Sequence, residues 1–219
     1  MIATGELETG QLLPSEAELC ERFAVSRSSL REAQKMLAVA GVLSPHPGST
    51  SAVSGMSAKE IMSGLDMIIP LLPLDRYLEL FSLREVLEGH LAALSAARLS
   101  DEDCRRLVKA AEDLAVTPPS DKAQLLDTEY HQIIIRGAGE DLIAGLLETI
   151  RRRGRDYRTF ETDNREELKA ISDQAHRDIA AAISARDPEA ARFISMQHVR
   201  TTRTWLAGIR PGPVQLDGD

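Results

Sequence analysis

The sequence predicts a mainly α-helical protein: two short helices joined by a tight turn near the N-terminus, followed by an all-helical bundle. Three observations predict it. Aromatic residues make up only 4% of the 219 residues, while alanine and leucine, both strong helix formers, dominate. Helix-start and helix-stop signals recur along the chain as Ser or Asp caps and Gly or Pro breaks. From Leu74 onward no segment alternates apolar and polar residues as a half-buried strand would.

Composition bounds the function classes. The length suits one large domain or two smaller ones, and 43% hydrophobic with 27% charged residues is ordinary for a soluble globular protein. No apolar run approaches the ~20 residues that cross a bilayer. Thr4, Gly5, Glu6 and Glu8 do not form the basic-then-apolar pattern of a secretion signal. Cys20 and Cys104 give neither a disulfide framework nor metal spacing and read as packed thiols. A cytoplasmic protein without membrane partners is expected. The net charge of −8 argues against indiscriminate nucleic-acid binding. Residues 1–56 set four cations (Arg22, Arg27, Arg31, Lys35) against six glutamates. Any DNA contact therefore depends on where those cations point, and strong salt sensitivity is expected.

Each element has its own signal. Ser15 with Glu18 three residues on is a capping box that opens the first helix. Ser26 caps a second helix running to about Ala40, where Gly41 stops it. On that second helix Leu30, Ala33, Leu37 and Ala40 share an apolar stripe, and Arg27, Arg31 and Lys35 fall on the other side. Such a helix fits the major groove, where Arg forks onto phosphate or guanine. A solvated charged face reads the same way from spacing alone. Ser57 caps a helix over 58–69 that Pro70 and Pro73 end, with Ile61, Leu65 and Ile68 on one face, suited to packing between domains or on a partner subunit. Helices are then expected at about 75–97, 100–115, 120–137, 140–160, 164–186 and 188–208, separated by Ser100-Asp101, Thr117-Pro118-Pro119-Ser120, Gly137-Ala138-Gly139 and Asp187-Pro188. Leu80, Leu83, Val86, Leu87, Leu91 and Leu94 are core-spaced on the first of these. The last residues, with Pro211, Gly212, Pro213 and Gly218, read as a tail.

The wording Leu13-Pro14-Ser15-Glu16-Ala17-Glu18-Leu19, then Val25-Ser26-Arg27-Ser28-Ser29-Leu30-Arg31-Glu32-Ala33 and a Gly41-Val42-Leu43 turn, resembles the winged helix-turn-helix of the GntR family of bacterial transcription regulators. The resemblance spans about a fifth of the chain. It implies DNA contacts from Ser26, Arg27, Ser28, Arg31 and Lys35, and a wing that turns at Gly48 between short strands near Val42-Leu43 and Ser51-Val53. Three departures stand out. Ala17 takes a place where the family often has Arg. The wing His46-Pro47-Gly48-Ser49-Thr50 lacks a basic residue, so minor-groove contact should be weaker, and His46 reads as a surface residue. Only Met1-Ile2-Ala3-Thr4 stands where the family has a full helix, as expected from a late start or a truncated domain.

In the bundle, Asp127 and His131 are four apart on one predicted helix, with His176 and His198 on two later helices. Singly, each His reads as a core or surface residue. Together, one carboxylate and three imidazoles suffice for a first-row metal. With Arg84, this pattern resembles the FCD ligand-binding domain of the FadR subfamily. The resemblance implies that Asp127, His131, His176 and His198 hold a divalent metal, zinc being the first expectation with nickel or manganese as alternatives. It also implies that Arg84 helps hold a small carboxylic acid; an ion pair to Glu88 at i+4 is the other reading of Arg84. Glu140 stands where the family often has Asn, which bears on a helix cap and the pocket edge. His90 reads as structural, and the Arg151-Arg152-Arg153-Gly154-Arg155 run as a solvated or intersubunit surface whose Gly kinks the helix.

The expected organisation is a winged helix-turn-helix at 1–56, a linker helix at 57–74, an FCD-like all-α domain at 75–210 and a tail at 211–219. The expected function is a homodimeric regulator, a repressor by resemblance, that binds a pseudo-palindromic operator in double-stranded DNA under control of a small acid. A metal-dependent hydrolase is the alternative, since Asp/His metal sites also activate water, although no general base stands beside the four ligands. A metal that only staples the bundle is a third reading.

Overall fold

The computed structural model of the protein describes residues 1–45, 51–155, 157 and 165–211. They form two compact units, Met1–Leu71 and Leu72–Asp219.

In the first unit, α1 (Glu16–Phe23) opens on the Ser15–Glu18 capping box and α2 (Arg27–Val39) on Ser26, whose hydroxyl accepts from the Ser29 N–H at 3.1 Å. Gly41 follows in the left-handed region at φ 75°. A Cβ there would run into the Glu60 carbonyl oxygen, so only glycine lets α3 (Ala58–Ile68) approach this turn. β1 (Leu43–Ser44) pairs antiparallel with β2 (Ala52–Val53), Leu43 opposite Val53, and Leu12 bridges to Ala52. Residues 46–50, among them His46 and the Gly48 of the expected wing turn, lie outside the described residues. Residues 1–6 form a turn, with the Gly5 N–H donating to the Ile2 carbonyl.

Two apolar faces differ from expectation. On α2 only Leu30 is buried; Ala33, Leu37 and Ala40 are exposed, because no element among the described residues covers them. On α3 the buried residue is Met62, followed by Ile69 in the 3-10 turn (Ile69–Leu71), while Ile61, Leu65 and Ile68 face outward. Two buried apolar residues a heptad apart are enough to seat so short a helix, and they select the face.

The second unit is a bundle of α4 (Leu74–Arg98), α5 (Asp101–Val116), α6 (Asp121–Gly137), α7 (Asp141–Arg155), α8 (Arg165–Ser184) and α9 (Pro188–Ile209). The caps Ser100, Ser120 and Asp187 each accept from a backbone N–H in the first turn of the helix they open. Expected residues beyond the end of α7, namely 156 and 158–164, lie outside the described ones. α4 is the spine, packing along α9 and against α6, α7 and α8. One core gathers Leu107, Tyr130, Ile134, Ile179 and Ile183; a second gathers Leu91, Ile135, Ala138 and Leu147.

The inward face of α4 follows the leucine stripe expected from spacing only in part: Leu91 is buried and Leu87 and Leu94 pack against the second core. Leu83 and Val86 are exposed, whereas Tyr77, Phe81, Arg84, Glu88, Leu91 and Ser95 are buried. The buried stripe also includes a neutralised ion pair, which counting apolar residues passes over. Gly154 is the penultimate residue of α7. A Cβ there would lie 2.6 Å from the Tyr77 hydroxyl, so the glycine serves close approach to α4.

Candidate functional site

Five helices of the bundle converge on one group of side chains. α6 presents Asp127 and His131 one turn apart, α8 presents His176 and α9 presents His198. Ligand nitrogens of the three histidines lie within 4.8 Å of one another, and all three residues are buried. Asp127 Oδ1 is 3.6 Å from both His131 Nε2 and His176 Nε2. Beside them Tyr130 anchors α6 to α8, its hydroxyl donating to the His176 carbonyl at 2.8 Å.

These residues fit a divalent metal on two counts. His131 Nε2 and both ring nitrogens of His176 are buried without a hydrogen-bond partner among the described residues. Such orphaned groups each cost about 1–3 kcal/mol, and a metal ion would satisfy one nitrogen of each ring. Burial also pushes all three imidazoles down, His198 to about 3, so they stand neutral at pH 7 as ligands must. Burial would by itself raise the Asp127 carboxyl; His131 and Arg151 together outweigh it and hold the group well below the usual carboxylate range.

α4 and α7 add a chain of alternating charges. Arg84 donates from Nε and Nη2 to Glu88 Oε1, both at 2.8 Å, and its guanidinium lies 4.5 Å from the Phe81 ring centroid. Arg151 donates to Glu88 Oε2 and to Asp127 Oδ2, each at 3.1 Å. Burial alone would raise Glu88, but Arg84 and Arg151 hold it far down. A cavity of about 210 Å³ opens beside Asp127 and His131, and Glu148, Arg151 and Arg152 also line it. His176, His198 and Arg84 lie behind its wall.

Sequence reasoning brought together Asp127, His131, His176 and His198 and paired Arg84 with Glu88. It misplaced Arg151 as surface; its side chain is only 15% exposed. The missed signal is periodic: Leu147, Ile150, Arg151 and Gly154 share the inward stripe of α7. Arg153 is likewise turned inward, donating to the Leu72 carbonyl and the Tyr157 hydroxyl.

In the first unit, Ser26, Arg27, Ser28, Arg31 and Lys35 lie exposed along α2. Arg31 is paired with Glu16 at 2.9 Å and Lys35 with Glu32 at 2.8 Å; Arg27 forms no ion pair among the described residues. The basic face thus carries two of its own counter-ions, which DNA must displace.

Comparison with known proteins agrees with this division. Residues 1–53 match the gntR family of bacterial regulatory proteins, and residues 79–201 match the FCD domain. The Glc operon transcriptional activator of Escherichia coli K12 is 28% identical, over 95% of this chain and 85% of its own. The transcriptional repressor NanR of Cronobacter sakazakii is 32% identical, over 94% of this chain and 82% of its own. The solved structure of GntR from Streptococcus agalactiae is 31% identical with a TM-score of 0.58, covering 93% of each chain. These relatives are regulators by name and lend nothing to the hydrolase alternative. The chain belongs to the GntR family of bacterial regulatory proteins, with a helix-turn-helix at its N-terminus and an FCD domain after it.

Proposed function

We propose that the protein is a homodimeric, cytoplasmic transcription regulator whose operator binding is set by a small carboxylic acid held at a divalent metal, zinc in the first instance. The observation that carries this reading is the buried cluster of three imidazoles, with His131 Nε2 and both His176 ring nitrogens unpartnered, on the same chain as a helix-turn-helix. Asp127, His131, His176 and His198 would hold the metal. The metal would supply a Lewis-acid anchor for one carboxylate oxygen. Around it the chain's own groups divide the work. Arg84 and Glu88 form a buried pair that fixes α4, and Arg151 holds Asp127 with Oδ1 toward His131 and His176.

The acid would favour one arrangement of the two reading helices over another. Both must sit about 34–36 Å apart to enter successive major grooves. The acid shifts that balance only by its difference in affinity for the two arrangements, typically ~1–3 kcal/mol. One named relative is an activator and another a repressor. Repression relieved by acid is therefore the form to test first, as the more general resemblance implies.

The test is selection of bound duplexes from a random library by the zinc-loaded chain, followed by titration of the selected site with a panel of acids. A two-fold symmetric site whose affinity changes with one acid, and only with metal present, supports the reading. An operator whose affinity no acid and no chelator alters would refute the sensing half while leaving DNA binding intact.

A further inference from the structure

Only one side of α3 is seated in its own unit. Met62 and the following Ile69 are buried, while Ile61, Leu65 and Ile68 are 44%, 37% and 57% exposed. With Gly64 these three stand at i, i+3, i+4 and i+7, the spacing of a helix stripe that packs against a neighbour. Gly64 is the unusual member. Glycine weakens a helix interior, and close approach of another group is a reason to keep one. Gly41 and Gly154 have such a reason in Glu60 and Tyr77. A Cβ at Gly64 would meet no atom within 4 Å among the described residues. Its own chain gives this glycine no close neighbour; a second helix laid on the stripe would.

We propose that α3 pairs antiparallel with α3 of a second copy of this chain, Leu65 of each packing on the partner's Gly64. The proposal rests on the homodimer reading and assigns one surface of that dimer. The stripe itself selects the occupant. Ile61-x-x-Gly64-Leu65-x-x-Ile68 has the same spacing in both directions about the bond between residues 64 and 65. A two-fold axis through that point sets Ile61 against the partner's Ile68 and Leu65 against the partner's Gly64. A leucine then enters the space left by a missing Cβ, once from each side, as a self-complementary contact requires. Charge allows this register. Lys59, Glu60 and Asp66 come level with the partner's Pro70, the partner's Ile69 and the partner's Ser63, whereas a parallel in-register pair would set each charge level with its own kind. The stripe covers roughly 250 Å² on each copy, against roughly 800 Å² per partner in a self-sufficient interface. The α3 pair therefore fixes the register of a dimer that other surfaces also hold.

Engineered cysteines test the pairing in the full chain, with the half-buried Cys20 changed to serine and the buried Cys104 kept as background. The positions changed are exposed, so the fold is not at stake. Antiparallel pairing brings Leu65 level with the partner's Leu65 and holds the two Ile61 residues about 10 Å apart along the axis, beyond disulfide reach. Under mild oxidation Leu65→Cys is expected to form an intermolecular disulfide, and Ile61→Cys to do so at least about tenfold more slowly. The double variant Ile61→Cys/Ile68→Cys is expected to cross-link as readily as Leu65→Cys. Adding Gly64→Ala to that double variant separates pairing from a free helix face. Helix propensity alone predicts a higher melting temperature and unchanged cross-linking. Pairing predicts cross-linking slowed by about tenfold, because the methyl group takes the place of the partner's Leu65. A sedimenting dimer whose Leu65→Cys variant does not cross-link overturns the proposal and leaves the homodimer standing. Ile61→Cys cross-linking as fast as Leu65→Cys, or no effect of Gly64→Ala on cross-linking, overturns it equally. A chain that sediments as a monomer up to about 100 μM, where a micromolar dimer is formed, overturns the homodimer reading itself.

Discussion

At the scale of single residues, burial sets the terms. His176 is 1% exposed with both ring nitrogens unpartnered, so in metal-free protein it is a cost rather than a support. His176→Leu is expected to leave metal-free stability unchanged or raise it by about 1 kcal/mol, since it removes unsatisfied polar atoms. The same change should abolish the rise in melting temperature on adding zinc, which differential scanning fluorimetry reads. Arg84→Ala has the opposite sign: it leaves Glu88 Oε1 buried without its partner while Arg151 keeps Oε2, and a loss of about 1–3 kcal/mol is expected in urea unfolding. Acid sensitivity follows from the imidazoles. Their folded values lie below 6.5, His198 near 3, so the unfolded chain binds more protons within that window. Metal-free stability should therefore be fully present above about pH 6.5 and fall as the pH drops toward 3, with protons taken up on unfolding. A pH-independent midpoint across that range would contradict the burial argument.

At the scale of elements, two glycines fix how helices meet. Gly41 combines a left-handed backbone with the close passage of the Glu60 carbonyl, so Gly41→Ala is strained twice over. A loss of more than about 2 kcal/mol is expected, confined to the first unit. DNA binding should fail while zinc uptake by the bundle persists. Gly154→Ala gains about 1 kcal/mol of helix propensity but pushes against Tyr77, a stiff ring that is fully buried. The clash, about 1–3 kcal/mol, should win, and the displaced α7 should carry Arg151 away from Asp127. The buried stripe of α4 shows why element positions were easier to read than element faces. Caps and breaks are local chemistry, and α4, α5, α6, α7 and α9 start within one residue of the positions they predict. Which face turns inward depends on what the other helices present, and here α7 presents Arg151 to Glu88.

At the scale of the whole molecule, an overall charge of −8 must still meet a polyanion through one helix. Arg27 stands at the start of α2 without a carboxylate partner among the described residues, whereas Arg31 and Lys35 are already paired. Arg27→Ala should weaken operator binding and, where Arg27 meets a phosphate, lower the slope of log K against log salt by about one. Fluorescence anisotropy at several salt concentrations measures both. An unchanged affinity and slope would remove Arg27 from the interface.

What the sequence by itself determined was local or carried by spacing. Helix boundaries follow from Ser15, Ser26, Ser57, Ser100, Ser120 and Asp187. The turn at Gly41 and the Asp127–His131 pair need only the helical repeat. The meeting of His176 and His198 with that pair was legible only through a family resemblance, because nothing in the linear chain brings α8 and α9 to α6. The tertiary structure alone decided the rest: that Glu88 divides its oxygens between two arginines, and that Arg151 turns inward from a run of surface-looking charges. Those outcomes turn on desolvation. A charge can be buried only where an opposite charge meets it, and only the assembled helices determine where that happens.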